Sequence, residues 1–180
     1  VGSAPTVFPS YREHAVALLR GVAPDELLAQ WAGRTFCGWD PRRLRFFPYT
    51  LVLAAQTLHG VGYSIGQRLQ GREDFVVVYV GDGATSEGDM SEAMNLAAVA
   101  ERARGFGIEA VRVPGQDPET VFSACSRAAA HVREERAPCL VQIDVGRIYG
   151  HSTSDAQELY RSRDDIARTK AADPVTAYTA

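Results

Sequence analysis

The sequence predicts an α/β protein in which helices flank a doubly wound, mostly parallel sheet, and three observations support this. An apolar run at residues 75–80 is typical of a strand covered on both faces, as in parallel sheets. Predicted strands alternate with predicted helices along the chain. With 180 residues, 46% of them hydrophobic, the chain can bury one core. We therefore expect residues 1–180 to form a single domain.

The first part of the chain is predicted to be helical. Apolar residues at helical spacing indicate a helix over residues 10–20, which Gly21 ends. A second helix is expected over residues 24–32, followed by an irregular basic segment at residues 35–48. The apolar segment 51–69 is predicted as a third helix, in which three glycines allow close packing against a neighbouring backbone.

Strands and helices alternate in the rest of the chain. A helix over residues 87–100 follows the 75–80 strand, and Ser86 with Asp89 forms a capping-box-like start. Asp155 and Glu158 have the same pattern before a last, partly helical segment. The remaining predictions are strands over 109–113 and 139–145 and a helix over 118–136 that faces inward with Val121, Cys125, Ala128 and Val132.

Composition argues against several classes of function. The net charge is −3 and no basic run appears, so nucleic acid is not the expected partner. Three cysteines without a CxxC spacing indicate reduced thiols and a cytoplasmic protein. No apolar run approaches the roughly 18 residues of a membrane span, and no signal-peptide pattern appears at the N-terminus. Lys170 is the only lysine, which suggests a GC-rich bacterial source.

The turn Gly81-Asp82-Gly83 is the strongest chemical signal. It follows the predicted strand directly, at the edge where open α/β sheets bind ligands. The next helix presents free N–H groups that favour an anion, and Asp82 is suited to a divalent cation that bridges to a phosphate. An ordinary turn between strand and helix has the same pattern and stays open as an alternative. A calcium loop is weaker, because the acids lack the alternate spacing of an EF-hand.

Three segments, taken together and in order, resemble one protein family. They are residues 7–14, residues 81–98, and residues 147–155 with the pair 160–161. The resemblance is to the α subunit of the thiamine diphosphate-dependent decarboxylating component of 2-oxo acid dehydrogenase complexes. It implies a thiamine diphosphate-binding fold with thiamine diphosphate and Mg²⁺ as cofactors.

The resemblance also implies roles for individual residues. Asp82 matches the Mg²⁺ ligand, and Tyr11 and Arg12 match a pair that reaches the diphosphate oxygens. His151 matches an active-site histidine near the diphosphate and the lipoyl-bearing partner. The other matches are Gly81, Gly83 and Ala84 in the diphosphate turn and Leu53 in the segment that contacts the pyrimidine half. Without the resemblance, Tyr11 is the amphipathic edge of the first helix and Arg12 a solvated charge.

The implied reaction is the oxidative decarboxylation of a 2-oxo acid, with acyl transfer to a lipoyl group. A branched-chain 2-oxo acid is favoured as substrate, with pyruvate as the alternative and acetoin as a further option. The implied partners are a β subunit, in an assembly of two α and two β chains, and a lipoyl-bearing acyltransferase. Because the glutamate that activates the cofactor belongs to the β subunit, the chain is expected to be active only with it. A non-catalytic assembly subunit of the same fold is the rival interpretation.

One departure from the family pattern limits this interpretation. The family motif places an Asn-Asn pair, whose first Asn is the second Mg²⁺ ligand, at the end of the next strand. The only asparagine here is Asn95, inside the predicted helix, and the strand expected after Ala100 is missing. Either the sequence omits a segment near residues 100/101, or the chain carries a deletion. We favour omission, which a large Cα separation between Ala100 and Glu101 would reveal, and a smaller one at 4/5 stays open.

Overall fold

The strand β1 (Thr6–Phe8) lies at the centre of the first sheet. The computed structural model describes residues 4–34, 36–99 and 108–179. β1 pairs in parallel with β2 (Val76–Val78), and on its other side a bridge joins Val7 to Phe46. Its three side chains are only 1% to 4% exposed. Because β1 is bonded on both sides and buried, it is the interior strand, although the sequence did not predict it.

The helices of the first unit surround this sheet. They are α1 (His14–Leu19), α2 (Pro24–Trp31), α3 (Pro41–Leu44), α4 (Ala55–Leu69) and α5 (Gly88–Val99), with a 3₁₀ helix at Asp82–Ser86. Pro24 is at the first helical position of α2, where its missing N–H leaves no bond unmade. Gly21 takes a φ of 89° just after α1, as expected for a glycine that ends a helix.

The main core of this unit lies between β1 and the first helices. Its buried members are Val7, Ala17, Val22, Leu27, Trp39, Phe46 and Tyr49. Trp39 donates its indole N–H to the Phe46 carbonyl at 2.9 Å, so its polar atom is satisfied inside the core. Asp40 caps α3 by accepting from the Arg42 and Arg43 amides. The segment predicted as irregular and basic therefore supplies core aromatics and a short helix.

The second unit contains another parallel pair of strands. β3 (Glu109–Pro114) pairs with β4 (Cys139–Asp144) over six residues, from Glu109 opposite Cys139 to Pro114 opposite Asp144. α6 (Pro118–Glu135) packs on this pair through Ala124, which is 1% exposed. A 3₁₀ helix (Gln157–Leu159) and the helices α7 (Arg163–Ala171) and α8 (Pro174–Thr179) follow. The chain divides into its two compact units between residues 107 and 108.

The structure confirms the α/β class and the parallel direction of the strands. Their described parts form two two-stranded sheets, so one doubly wound sheet and one domain stay predictions. The strands and helices predicted for residues 109–145 agree with the structure within a residue or two. Among the described residues, none of the helices has the length and apolar content that a membrane crossing requires. Residues 100 and 101, whose separation would reveal an omission, lie outside the described ranges.

Several predicted boundaries and faces are wrong. α1 begins at His14 rather than residue 10, and in the loop before it the Arg12 amide donates to the Glu13 carboxylate. α4 begins at Ala55, since Ala54 takes a left-handed φ of 64°. Cys125 is exposed, because α6 turns the face containing Ala124 to the sheet.

The β2 region also differs from its prediction. The strand spans only Val76–Val78 and is half-buried, whereas full cover on both faces was expected. Ser86 ends the 3₁₀ helix and does not cap α5, which begins two residues later. The shorter, less buried strand is consistent with a sheet in which β2 has a described neighbour on one side only.

We expect Gly60→Ala to destabilise the first unit by about 1–3 kcal/mol, because overpacking a tight contact costs that much. A Cβ at Gly60 would collide with the Val78 side chain, and the Phe8 ring lies 3.6 Å away. The matched control is Gly62→Ala in the same helix, where no atom lies within 4 Å. That change should be neutral or stabilising by up to about 1 kcal/mol. Urea unfolding measures both, and equal effects would contradict the packing argument.

Candidate functional site

The carboxyl ends of β1 and β2 meet at one edge of the first sheet. Because the two strands are parallel and in register, the residues that follow each strand leave from the same side. Tyr11 and Arg12 follow β1, and the turn Gly81–Ala84 follows β2. The structure therefore brings two of the predicted groups to one edge.

The turn after β2 is anchored by Ala84. This side chain is 2% exposed and packs with Ala54 and Met90. Within the turn, Thr85 donates its hydroxyl to the Asp82 carbonyl at 2.6 Å, and the Ala84 amide donates to the Gly81 carbonyl at 3.1 Å. Asp82, the first residue of the 3₁₀ helix, is exposed. The buried Ala84 side chain thus anchors the turn, while the carboxylate of Asp82 is exposed to solvent.

The two glycines of this turn are not required by its backbone. Gly81 has an extended conformation with φ −87°, and neither Gly81 nor Gly83 has a positive φ. No described atom lies within 4 Å of where a Cβ would stand at either position. The sharp turn that the sequence suggested therefore needs neither glycine, and the space beside both is open.

Tyr11 and Arg12 lie in the loop between β1 and α1, not on a helix. The Arg12 guanidinium carbon stands 5.4 Å from the centroid of the Tyr11 ring, a cation–π distance. The Thr50 amide donates to the Ser10 carbonyl at 3.1 Å and ties this loop to the segment before α4. The interpretation of Tyr11 as the edge of the first helix is therefore wrong.

The segment that contains Leu53 is attached to the same edge of the sheet by the residue that follows it. Leu53 is 42% exposed, and the next residue, Ala54, is fully buried in the cluster that contains Ala84. Gln56, the second residue of α4, donates its side-chain amide N–H to the Tyr79 carbonyl at 2.8 Å. The Gln56 Oε1 atom is buried and has no hydrogen-bond partner among the described residues. The segment that contains Leu53 is therefore attached to the turn through Ala54.

His151 lies in the second unit, on a loop that follows β4. The structure does not group it with the residues of the first unit. An Arg147 Nη1 atom lies 3.2 Å from the His151 Nδ1 atom. Because a guanidinium can only donate, Nδ1 accepts and the proton of the neutral ring is on Nε2.

Asp155 stabilises the loop that contains His151 through two hydrogen bonds. It accepts from the His151 amide and from the Tyr160 hydroxyl, both at 2.5 Å. The Tyr160 hydroxyl bond, followed by the His151 amide bond, lowers the pKa of the Asp155 carboxyl. The same bond raises the pKa of Tyr160. The predicted capping box of Asp155 and Glu158 is wrong, because Ser162 caps α7 and Asp155 instead binds within the loop.

Arg161 is a positioning residue that sequence reasoning did not single out. Its side chain is 15% exposed. It donates to the Arg147 carbonyl at 2.7 Å, to Asp165 at 2.7 Å and to Thr169 at 2.7 Å. Arg161 therefore fixes the start of the His151 loop to α7. Its place beside Tyr160 in the last resemblance segment was the available signal.

The described residues contain one candidate ligand in the turn rather than a cluster. Within those ranges, no group of three or more His, Cys, Asp or Glu side chains is arranged to hold a metal ion. Asp82 is the carboxylate at the turn, and Asn95 lies inside α5. A metal at this place would take its further ligands from a bound phosphate and water.

We expect Tyr160→Phe to raise the pKa of Asp155 toward its ordinary value, because the largest cause of the lowering is removed. In the unchanged chain, the contribution of Asp155 to stability is present above its unfolded pKa and is lost as the pH falls through its lowered folded pKa. Carboxyl ¹³C titration by NMR measures this shift. Tyr178→Phe in α8 is the control and should leave the Asp155 pKa unchanged. Equal titration curves for both variants would contradict the assigned bond.

Comparisons with known proteins identify the family. A model of the dehydrogenase E1 component family matches residues 3–101 and again residues 98–180. The 3-methyl-2-oxobutanoate dehydrogenase subunit alpha of Mycobacterium tuberculosis is 30% identical over 201 aligned positions, covering 96% of this chain and 55% of that protein. The alignment is longer than the 180 residues of the chain, so the relative has residues that this chain lacks.

Two further relatives carry related names. The mitochondrial 2-oxoisovalerate dehydrogenase subunit alpha 2 of Arabidopsis thaliana is 28% identical, covering 96% of this chain and 45% of that protein. The pyruvate dehydrogenase E1 component subunit alpha of Rickettsia bellii is 27% identical, covering 93% of this chain and 63% of that protein. The chain thus spans about half the length of these relatives. Because the family model matches nearly all of it, the chain belongs to the dehydrogenase E1 component family.

Proposed function

We propose that this chain is the α subunit of a thiamine diphosphate-dependent 2-oxo acid dehydrogenase. The intact enzyme decarboxylates a 2-oxo acid oxidatively and passes the acyl group to a lipoyl group. The observation that carries the proposal is the edge of the first sheet, where the loop of Tyr11 and Arg12, the Leu53 segment and the turn Gly81–Ala84 come together. Ligands of α/β proteins bind at such an edge.

The residues at this edge fit a diphosphate. Gly81 and Gly83 have open space beside them, and their backbone conformations do not require glycine. The close approach of a ligand would account for both glycines. The buried Gln56 Oε1 atom has no partner among the described residues, and as an acceptor it suits an N–H or O–H group of a ligand rather than the diphosphate itself. Mg²⁺ is commonly held by one or two carboxylates together with phosphate oxygens and water, and Asp82 provides one carboxylate.

Each residue would act by binding or by holding a proton. Asp82 would hold Mg²⁺, and the Arg12 guanidinium, with Tyr11 beside it, would neutralise the diphosphate. The amides of the turn 81–84 would meet its oxygens. Bound thiamine diphosphate supplies the electron sink that decarboxylation requires. His151, with its proton on Nε2, would act as an acid or base during acyl transfer.

The names of the relatives support the proposed substrate, and the resemblance to the family supports the proposed partners. A branched-chain 2-oxo acid is favoured because the relative from Mycobacterium tuberculosis is named for 3-methyl-2-oxobutanoate, and pyruvate is the alternative. The proposed partners are a β subunit, in an assembly of two α and two β chains, and a lipoyl-bearing acyltransferase. The proposed location is the bacterial cytoplasm.

A second candidate function is that of a non-catalytic assembly subunit. The observation that favours it is that, among the described residues, Asp82 belongs to no group of three or more His, Cys, Asp or Glu side chains that could hold a metal ion. The only asparagine of the sequence, Asn95, lies in α5. Binding of the cofactor in the presence of the β subunit separates the two functions.

We expect Asp82→Asn to weaken Mg²⁺-dependent binding of thiamine diphosphate to the αβ assembly by at least about tenfold. Removing a residue that only supports a metal ligand already lowers metal affinity by about that factor, and removing the ligand itself should lower it at least as much. Isothermal titration calorimetry measures the affinity. Asp89→Asn, an equal change of charge at an exposed site in the first turn of α5, is the control and should keep the affinity within a factor of about two. Unchanged affinity in Asp82→Asn would refute the site.

We expect the αβ enzyme to release CO₂ from branched-chain 2-oxo acids with a kcat/KM about tenfold or more above that for pyruvate, since each missing methylene in an apolar pocket costs about that factor. The assay uses a panel of 2-oxo acids with an artificial electron acceptor. A preference for pyruvate would reverse the substrate assignment. Cofactor binding without any CO₂ release, or no binding, would favour the assembly subunit.

A further inference from the structure

The side chain of Glu13 is bonded to the loop that precedes α1 and not to the helix itself. Glu13 is the N-cap residue of α1, but its side chain makes no capping hydrogen bond. A side chain that caps a helix accepts from the amides of the first turn. The two Glu13 oxygens instead accept from the Ser10 hydroxyl at 3.0 and 3.1 Å, and Oε2 also accepts from the Arg12 amide at 3.3 Å. The carboxylate therefore stabilises the loop rather than the end of the helix.

Arg12 is held in this loop through both of its backbone groups. Its amide donates to the Glu13 carboxylate, and its carbonyl accepts from the His14 amide at 2.8 Å. The bonds from Ser10 and Arg12 to one carboxylate also enclose Tyr11 between them. Because the rotamers open to a side chain depend on its backbone conformation, these bonds limit the directions in which the guanidinium can extend.

Two consecutive residues attach the ends of this loop to the rest of the unit. The Thr50 amide donates to the Ser10 carbonyl at 3.1 Å, at the start of the loop. The Tyr49 hydroxyl lies 3.0 Å from the His14 Nδ1 atom, where the loop ends. Tyr49 is 9% exposed and belongs to the main core. Burial, followed by the negative charge of Glu13, raises the pKa of Tyr49 to about 12, so the carboxylate lies close to this anchor.

A carboxylate next to Arg12 opposes the binding of an anion. Because like charges repel, Glu13 would weaken the attraction of the neighbouring guanidinium for a diphosphate. Its hydrogen bonds account for its presence, since bonds to an ionised acceptor are roughly twice as strong as bonds between neutral groups. The carboxylate thus has a structural role in the loop that outweighs its unfavourable charge.

We infer that Glu13 is a positioning residue of the proposed diphosphate site, whose carboxylate holds Arg12 in the loop conformation from which the guanidinium reaches the ligand. This inference rests on the proposed function. Glu13 does not touch the ligand and acts through Arg12. Its contribution to binding should therefore disappear in a chain that lacks the Arg12 guanidinium.

A double-mutant cycle with Arg12 tests this role. Isothermal titration calorimetry measures the Mg²⁺-dependent binding of thiamine diphosphate to the αβ assembly. Glu13→Ala should weaken binding by about tenfold or more, as the loss of a residue that orients a binding group commonly does. In a chain that already carries Arg12→Ala, the same change should weaken binding by less than about threefold. A residue that only stabilises the fold would weaken binding equally in both chains.

Two further variants separate hydrogen bonding from charge and from general damage. The side chain in Glu13→Gln can accept from the Arg12 amide and donate to the Ser10 hydroxyl, so this variant should bind within about threefold of the unchanged protein. Glu26→Ala is the matched control, because the Glu26 carboxylate accepts from the Ala23 amide at 3.0 Å at the start of α2. It should leave the affinity within a factor of about two.

Three outcomes would overturn the inference while the proposed function stands. They are unchanged affinity in Glu13→Ala, equal weakening with and without the Arg12 guanidinium, and a loss in Glu13→Gln as large as that in Glu13→Ala. If the unchanged assembly does not bind thiamine diphosphate, the proposed function fails and the inference fails with it. If Glu13→Ala does not assemble with the β subunit, Ser10→Ala, which removes one of the two donors, replaces it in the cycle with the same criterion.

Discussion

The parallel pairing of β1 with β2 is the constraint on which the rest of the first unit depends. Three residues of each strand are in register, so the loops that follow them leave from one edge. Tyr11 and Arg12 are separated from Asp82 by some seventy positions in the sequence, and this pairing alone brings them to the same edge. β1 can do so because it is bonded on both sides and fully enclosed.

Small residues allow the close packing that positions the turn after β2. Gly60 lets α4 approach β2 so closely that a methyl group would collide with Val78. The same helix begins beside Ala54, which is packed against Ala84 at the base of the turn. Buried alanines therefore anchor the turn that contains Asp82, while its carboxylate is accessible to a ligand. The second unit uses polar contacts instead, with Asp155 and Arg161 fixing the His151 loop.

Sequence patterns predicted part of this arrangement and missed the rest for physical reasons. The helix α6 and the strands β3 and β4 follow from periodicity, because each is long enough to show its repeat. β1 is three residues long and shows no periodicity at all. The apolar spacing around Tyr11 predicts a helix edge, but in the structure the Arg12 amide donates to the Glu13 carboxylate and Tyr11 lies in the loop before α1. Local bonds between side chains and the backbone, of which this is one, compete with helix formation.

Residues that are neighbours in the chain were enough to predict the α/β class, the Gly-Asp-Gly turn after an apolar run, and the resemblance to the family. Three-dimensional packing was needed to show that Ala54, the neighbour of Leu53, packs with Ala84, that the two glycines have no described atom close to them, and that β2 pairs with one strand of the described residues. The physical reason is that each of these depends on contacts or empty space between segments brought together by packing, which no local pattern of residues records.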